Sequence, residues 1–237
     1  MTDPEGSDRP DLVVFDLGGT TIRDRGEVPA AFAAALEASG LSADPAAIAS
    51  WRGGSKRDAL AALVAEQRPS LAAQDRDALT TTIYRQFSAT LTARLQAVPD
   101  LAIPEALPAF RRLKDAGIRV AVNSGFDRAI VDVILTSVRW PGQLLDAVVC
   151  STDVPAGRPA PFMILKSMEC TGVTDARRVA VVGDTRLDLE AGANAGVAYR
   201  IGVLGGAHDR ATLEGAPYTH ILDSVGQIPG LWLGGAA

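Results

Sequence analysis

Leu12-Val-Val-Phe-Asp-Leu-Gly-Gly-Thr20 decides the predicted fold, because a carboxylate stands where an apolar run stops and a glycine turn begins. The four apolar residues before Asp16 are typical of a buried strand. In open α/β sheets, ligands bind at the carboxyl ends of the strands, so Asp16 is the candidate reactive residue. Gly18 stands two residues later, so Asp16 has no second carboxylate at that spacing as an acid–base partner.

Length and composition exclude several classes of protein. The chain has 237 residues, which suits one large domain or a core with a smaller insertion. Cys150 and Cys170 form no spaced framework, so neither a disulfide scaffold nor a structural zinc site is expected. The start, residues 1–10, is polar, and no apolar run approaches the ~20 residues that span a bilayer. These features predict a cytoplasmic protein without membrane insertion.

Charge indicates the kind of partner. The net charge is −5, and the arginines and lysines are scattered along the chain. A nucleic-acid partner would favour a basic stripe, so a small molecule is the expected partner. Trp51 and its apolar neighbours would pack either within the chain or against a second copy, which leaves a homodimer possible.

The apolar pattern predicts two kinds of unit. Amphipathic, alanine-rich segments without strands predict a block of helices near 29–40, 44–52, 55–67 and 75–97. Strands then alternate with helices that start at Asp127, Pro161 and Thr185; these strands are predicted at 118–122, 147–150, 179–182, 197–201 and 219–222. Such alternation is typical of a parallel sheet with helices on both faces. We therefore expect an α/β, Rossmann-like, doubly wound core over residues 1–26 and 99–237, with a helical cap domain inserted at 27–98.

Polar residues also stand at three other predicted strand ends or helix starts, at 123–125, 157–159 and 183–185. Because parallel strands end at one edge of a sheet, these residues are expected to meet Asp16. The resulting order of an aspartate, a hydroxyl, a cation and a second acid resembles the haloacid dehalogenase superfamily of aspartyl-nucleophile hydrolases.

Two strings of residues resemble one family within that superfamily. Residues 16–21, Asp-Leu-Gly-Gly-Thr-Thr, resemble the Asp-x-Ala-Gly-Thr-Thr of phosphonoacetaldehyde hydrolases. Residues 153–159, Asp-Val-Pro-Ala-Gly-Arg-Pro, resemble that family's third motif, with arginine where most of the superfamily has lysine. The resemblance runs from residue 11 to about 225 and includes Gly53-Gly-Ser-Lys56 in the cap.

The resemblance implies roles for residues of the core. Asp16 would attack phosphorus and form an aspartyl-phosphate that water hydrolyses. Mg²⁺ would be held by Asp16, the Gly18 carbonyl and Asp184. Asp188, four residues after Asp184 at helical spacing, would hold metal waters or orient the ligands. The expected contacts of the phosphoryl oxygens are Gly19, Thr20, Ser124, Gly125 and Arg158.

The resemblance also implies a catalytic lysine in the cap. In phosphonoacetaldehyde hydrolases a cap lysine condenses with the substrate aldehyde, and the iminium accepts electrons as the carbon–phosphorus bond breaks. Lys56 matches it, and Ser55 is a candidate N-cap that would place Lys56 at a helix N-terminus, where the dipole disfavours a cation. Two residues depart from the family: Ala59 replaces a histidine, and Arg52 replaces a methionine. Arg52 would hold a carboxylate or a second anionic group of a larger 2-oxoalkylphosphonate.

Three functions follow from these residues. The favoured one is Mg²⁺-dependent cleavage of the carbon–phosphorus bond of a 2-oxoalkylphosphonate, through an aspartyl-phosphate and a Lys56 Schiff base. The second is hydrolysis of small phosphate monoesters, with a good leaving group, a water or Lys56 in place of the absent acid. The third is non-catalytic binding of a phosphorylated metabolite.

Overall fold

The computed structural model describes residues 9–234, so most of the polar start lies outside the described residues. Its centre is a sheet whose strands are β1 (Leu12–Asp16), β2 (Arg119–Ser124), β3 (Ala147–Cys150), β4 (Val179–Gly183), β5 (Tyr199–Val203) and β6 (His220–Leu222). The strand order is β3-β2-β1-β4-β5-β6, and all neighbours are parallel. The predicted α/β class and parallel, doubly wound sheet are confirmed.

Strand β1 is a continuous apolar run because both faces of the sheet are covered. Side chains alternate between the two faces of a strand. Leu12 and Val14 belong to one apolar cluster, and Val13 and Phe15 belong to the other. Asp16, the last residue of β1, lies beside Asn123 of β2.

Five helices lie between β1 and β2, and we call the first four the helical insert: α1 (Glu27–Ala38), α2 (Pro45–Ser50), α3 (Lys56–Gln67) and α4 (Ala73–Ala97). Each begins and ends within two residues of its predicted bounds, and the insertion of helices between the first two strands is confirmed. The remaining helices are α5 (Ala106–Asp115), α6 (Arg128–Val138), α7 (Phe162–Thr171), α8 (Arg186–Asn194), α9 (Arg210–Glu214) and α10 (Gly230–Leu233).

The helical insert packs on the core mainly through α4. The Tyr84 hydroxyl of α4 donates a hydrogen bond of 2.7 Å to Asp127, whose other carboxylate oxygen caps the N-terminus of α6. Within the insert, the rings of Phe32 and Phe87 meet edge to face with centroids 5.3 Å apart. Trp51 packs against the same apolar cluster within the chain. The homodimer stays a prediction.

The two segments that join the insert to the core lie side by side. The Arg23 N–H donates to the Leu101 carbonyl, and the Ile103 N–H donates to the Thr21 carbonyl, both at 2.9 Å. Ile22 and Ala102 form an isolated antiparallel bridge between them. The insert is therefore attached to the sheet at one place.

Helices α5, α9 and α10 are not predicted from the sequence, and strand β5 is displaced from its predicted position. Helix α5 is not predicted because Pro104 is a breaker signal. The helix nevertheless starts just after Pro104 and holds Pro108 in its first turn. Proline is tolerated there because a backbone N–H in the first turn has no partner within the helix. Strand β5 begins two residues later than predicted. The Val197 N–H instead donates to the Gly192 carbonyl at the end of α8, at 3.1 Å.

Within residues 9–234, no helix combines the length and the apolar character needed to cross a membrane. Cys150 is buried, Cys170 is exposed, and both are free thiols.

Candidate active site

A cavity of about 180 Å³ lies at the carboxyl edge of the sheet, between the core and the helical insert. Its wall includes every predicted site residue except Thr20 and Asp188. Thr20 instead contacts the lining residue Asp184, and Asp188 contacts the lining residue Arg158. The predicted site residues in the wall are Asp16, Gly18, Gly19, Arg52, Lys56, Ser124, Gly125, Arg158 and Asp184. The structure thus brings together residues from widely separated parts of the chain.

The Arg158 side chain, only 2% exposed, connects the core carboxylates to the insert. One terminal nitrogen lies 2.7 Å from Asp16 Oδ1, and the other lies 3.0 Å from Asp188 Oδ1. The guanidinium also donates to the side-chain oxygen of Asn123 and, at 3.2 Å, to the Gly53 carbonyl. Its planar fork suits this divergent set of acceptors, which one ammonium could not satisfy in the same way.

Asp16 is a desolvated carboxyl group. Burial raises its pKa to about 6, although the positive charge of Arg158 acts in the opposite direction. Oδ1 pairs with Arg158, whereas Oδ2 meets no hydrogen-bond donor among residues 9–234. Its Oδ2 is therefore available for attack on an electrophile or for binding a cation.

Asp184 follows β4 and sits in a glycine cradle. Thr20 donates to its Oδ1 at 3.1 Å, and the Ala207 N–H donates to its Oδ2 at 2.6 Å. A Cβ on Gly19 or Gly206 would lie 2.3 or 2.1 Å from Oδ2, so only glycine fits at these two positions. Burial raises the pKa of Asp184 well above its ordinary value, and the charges of Asp16 and Asp188 add to this rise.

The oxygen atoms that Asp16, Gly18 and Asp184 contribute to the site suit Mg²⁺. The candidate ligands are the carboxylates of Asp16 and Asp184 and the Gly18 carbonyl, all hard donors that this ion prefers. A bound cation would also offset the repulsion between the two carboxylates. No group of three or more His, Cys, Asp or Glu side chains within residues 9–234 is arranged to hold a metal. Mg²⁺ needs fewer, since it usually keeps several waters.

The placement of Asp188 has a different cause from the one predicted. Helix α8 begins at Arg186, so Asp184 precedes the helix and the two aspartates are not helical neighbours. Asp188 is the third helical residue and forms a capping box with Thr185, whose hydroxyl donates to Oδ2 at 2.6 Å. With Oδ1 paired to Arg158, both oxygens are held by protein donors.

Lys56 is the first residue of α3, after Ser55, whose Oγ accepts the Asp58 N–H at 3.3 Å. The predicted cap is confirmed. Lys56 is 8% exposed, and Nζ donates to the Gly54 carbonyl at 2.9 Å and to the Trp51 carbonyl at 3.4 Å. A neutral amine has two N–H bonds, so these carbonyls can accept both and leave the lone pair free.

Electrostatics favour the neutral form of Lys56 at moderately alkaline pH. Burial lowers the pKa of its amine to about 8, and the positive charge of Arg158 contributes to the decrease. The negative charges of Asp16, Asp24 and Asp184 act in the opposite direction. Lys56 is therefore far easier to deprotonate than an exposed lysine.

Backbone contacts between glycines bring the insert onto the core. A Cβ on Gly125 would lie 2.6 Å from the Gly54 carbonyl oxygen. Gly53 has φ +79°, and a Cβ there would lie 2.4 Å from the Thr185 hydroxyl oxygen. Side chains at these positions would separate Lys56 from the core residues of the cavity.

Arg52 and Ala59, the two residues that depart from the family pattern, lie in different surroundings. Arg52 is exposed at the cavity wall and donates to the Ala207 carbonyl at 3.2 Å. Ala59 is fully buried in the apolar cluster. Neither His208 nor His220 lines the cavity.

Sequence reasoning assigned no role to three residues that shape the site. Asn123, which contacts Arg158, directly precedes Ser124 and had a usable signal in its position at a strand end. Asp24 lines the cavity from the segment between β1 and α1. Ala207 contributes a backbone N–H, for which side-chain chemistry gives no signal.

Comparison with known proteins places these features in a family. Residues 10–196 match the haloacid dehalogenase-like hydrolases. The phosphonoacetaldehyde hydrolase of Latilactobacillus sakei is 33% identical over 193 residues, which cover 78% of this chain and 72% of that protein. The one from Bacteroides fragilis is 33% identical over 128 residues, 54% of this chain and 48% of that protein, so the match spans about half its length.

A solved structure shows the likeness of fold. The phosphonoacetaldehyde hydrolase-like protein from Oleispira antarctica superposes with a TM-score of 0.82 at 22% identity. The superposition covers 98% of this chain and 95% of that one.

Proposed function

The chain belongs to the haloacid dehalogenase-like hydrolases and is related to phosphonoacetaldehyde hydrolases, and on this premise we propose that it cleaves the carbon–phosphorus bond of a 2-oxoalkylphosphonate. One observation carries the proposal. Lys56, a desolvated amine, shares a cavity with Asp16. Gly18, two residues after Asp16, carries no carboxylate. An electron-accepting imine makes such an acid unnecessary, because the departing carbon is stabilised through nitrogen.

The proposed reaction divides the chemistry between insert and core. The neutral amine of Lys56 attacks the substrate carbonyl, and loss of water gives an iminium ion. Asp16 attacks phosphorus, and the electrons of the breaking carbon–phosphorus bond move to the iminium nitrogen and form an enamine. Water then hydrolyses the aspartyl-phosphate to phosphate, while protonation and hydrolysis of the enamine release the carbonyl product and Lys56.

The other residues hold the phosphoryl group. Arg158 presents its guanidinium to the phosphoryl oxygens while it positions Asp16. Ser124, whose Oγ already accepts the Phe126 N–H at 3.2 Å, keeps its own proton for a phosphoryl oxygen. Asp16, Asp184 and the Gly18 carbonyl would hold Mg²⁺, which would supply positive charge to offset the charge of the phosphonate. Asp188 orients Arg158 through its Oδ1.

The decisive experiment traps the imine. Borohydride added with phosphonoacetaldehyde or 2-oxopropylphosphonate is expected to attach the substrate's carbon skeleton to Lys56 and to abolish phosphate release. Peptide mass mapping identifies the modified residue. Lys56→Ala is expected to form no adduct and to lose at least about 10²-fold in turnover, since the electron sink is gone.

Two surface lysines are internal controls for this experiment. Lys114 and Lys166 pair with Asp146 and Glu169 and should stay unmodified. A substrate that turns over without an adduct at Lys56 would contradict the imine route. Phosphate release from monoesters, unaffected by Lys56→Ala, would favour a phosphatase. Binding without any turnover across phosphates and phosphonates would favour the non-catalytic function.

The rate is expected to follow the ionisation of Lys56. Only the neutral amine attacks, and its pKa is about 8, so kcat/KM should rise nearly tenfold per pH unit below pH 8 and level off above it. Initial rates between pH 6.5 and 9.5 test this. The facing charges are Arg158 and the carboxylates of Asp16, Asp24 and Asp184. A profile that is flat from pH 7 to 9 would contradict the prediction.

Arg52 is proposed to select the substrate. Arg52→Ala is expected to raise KM about tenfold for 2-oxoalkylphosphonates that carry a carboxylate, because a charge-assisted hydrogen bond is lost. KM for phosphonoacetaldehyde should not change. Arg57→Ala is the matched control, since Arg57 pairs with Asp77 on the outer surface of the insert. Unchanged turnover of every active substrate in Arg52→Ala would refute the role.

The homodimer and the cytoplasmic location stay predictions.

A further inference from the structure

Asp24 is a carboxylate of the cavity that the phosphorus chemistry does not use. It lies between β1 and α1 and lines the same cavity as Lys56. The other lining carboxylates are engaged: Asp16 pairs with Arg158, and Asp184 accepts hydrogen bonds from Thr20 and Ala207. Asp24 is therefore the carboxylate in the wall that remains available for another task.

The position of the Asp24 carboxyl group is defined by the backbone. Its Oδ1 accepts the Gly26 N–H at 3.0 Å, and its Oδ2 meets no donor within residues 9–234. The residue is exposed, so this group can exchange protons with solvent. Its charge also reaches Lys56, because it is one of the groups that hold up the pKa of that amine.

Imine chemistry at Lys56 requires proton transfer in every step. After the amine attacks, nitrogen carries an excess proton, and the former carbonyl oxygen must be protonated before it leaves as water. No histidine, tyrosine or cysteine lines the cavity among residues 9–234. The hydroxyls of Ser124 and Thr185 also lie in the wall, but hydroxyls are too weakly acidic to exchange protons readily near neutral pH.

We propose that Asp24 is the acid–base group that serves Lys56, a role that rests on the proposed imine route. The carboxylate takes one proton from the attacking nitrogen and delivers it to oxygen, which gives a neutral carbinolamine. A second proton, drawn from solvent through Asp24, leaves with that hydroxyl as water, and the iminium nitrogen keeps its last proton. After the carbon–phosphorus bond breaks, Asp24 returns a solvent proton to the enamine carbon and then accepts one from the water that hydrolyses the iminium.

Asp24→Asn tests this role, because the amide oxygen can still accept the Gly26 N–H and preserve the turn. The variant is expected to lower kcat for phosphonoacetaldehyde by about 10²- to 10⁴-fold and to slow borohydride trapping at Lys56 in parallel. Formate should restore part of the rate in proportion to its concentration. Asp58, an exposed carboxylate of the helical insert, lies outside the cavity wall, and Asp58→Asn should leave both rates unchanged.

The pH profile separates proton transfer from a simple charge effect. Loss of the Asp24 charge alone would make Lys56 easier to deprotonate and would leave the rate at pH 9.5 intact. Loss of proton transfer lowers the rate at pH 9.5 as well. Asp24→Asn with trapping and turnover within threefold of the unmodified protein would overturn the proposal. Absence of trapping in the unmodified protein would instead refute the imine route itself.

Discussion

Asp16→Asn is expected to reduce phosphate release by at least about 10⁴-fold, because an amide cannot form the acyl-phosphate. The geometry makes the substitution a clean one: Asn keeps the size of the side chain at the end of β1, and its oxygen can still accept from Arg158. In the proposed mechanism, imine formation at Lys56 does not involve Asp16. Borohydride trapping should therefore persist in this variant while phosphate release is lost, and the two readouts separate the two halves of the reaction.

The matched control lies at the other end of the same strand. Asp11 immediately precedes β1 and, like Asp16, pairs with an arginine, Arg178, but at the surface. Asp11→Asn is expected to leave turnover unchanged. Phosphate release from Asp16→Asn above about 1% of the unmodified rate, with the intact mass of the variant verified, would show that Asp16 is not the nucleophile.

Arg158→Lys is expected to lower kcat about 10²- to 10³-fold although the charge is kept. An ammonium group cannot face Asp16 and Asp188 with separate nitrogens and also reach Gly53 of the insert. Removing one partner from a buried ionic group costs about 3–5 kcal/mol, and Lys recovers only part of that. The thermal midpoint should therefore decrease by several degrees.

Thermal unfolding and steady-state kinetics of the same preparation check this prediction. Arg178→Lys is the control, since Arg178 pairs with Asp11 in a more exposed setting, where the exchange is expected to be nearly neutral. A turnover of Arg158→Lys within threefold of the unmodified rate would mean that positive charge alone suffices at this position.

The sheet and the reactive edge could be predicted because their signals are local. The apolar run before Asp16 reflects burial on both faces, and residues at the carboxyl ends of parallel strands converge by topology. The N-cap at Ser55 and the helix start at Lys56 could also be predicted, because both are defined by neighbours in sequence.

Other parts of the site depend on contacts that are remote in sequence. The approach of Gly54 to Gly125 and the Ala207 N–H on Asp184 are backbone contacts between distant segments. Asp188 shows a subtler limit, since four-residue spacing suggests helical neighbours only if both residues are helical, and α8 starts between them. The burial that lowers the pKa of Lys56 likewise depends on tertiary packing.

The side-by-side linkers, paired from Thr21 and Arg23 to Leu101 and Ile103, make the insert exchangeable. Since its two ends are already adjacent, a substitute of quite different length would add little chain-closure entropy. Asp16, Arg158 and Asp184 would stay behind on the sheet, whereas Lys56 would leave with the insert. If the proposed mechanism holds, grafting at this junction is expected to change which bond to phosphorus is broken, while the core residues proposed to bind the phosphoryl group are kept.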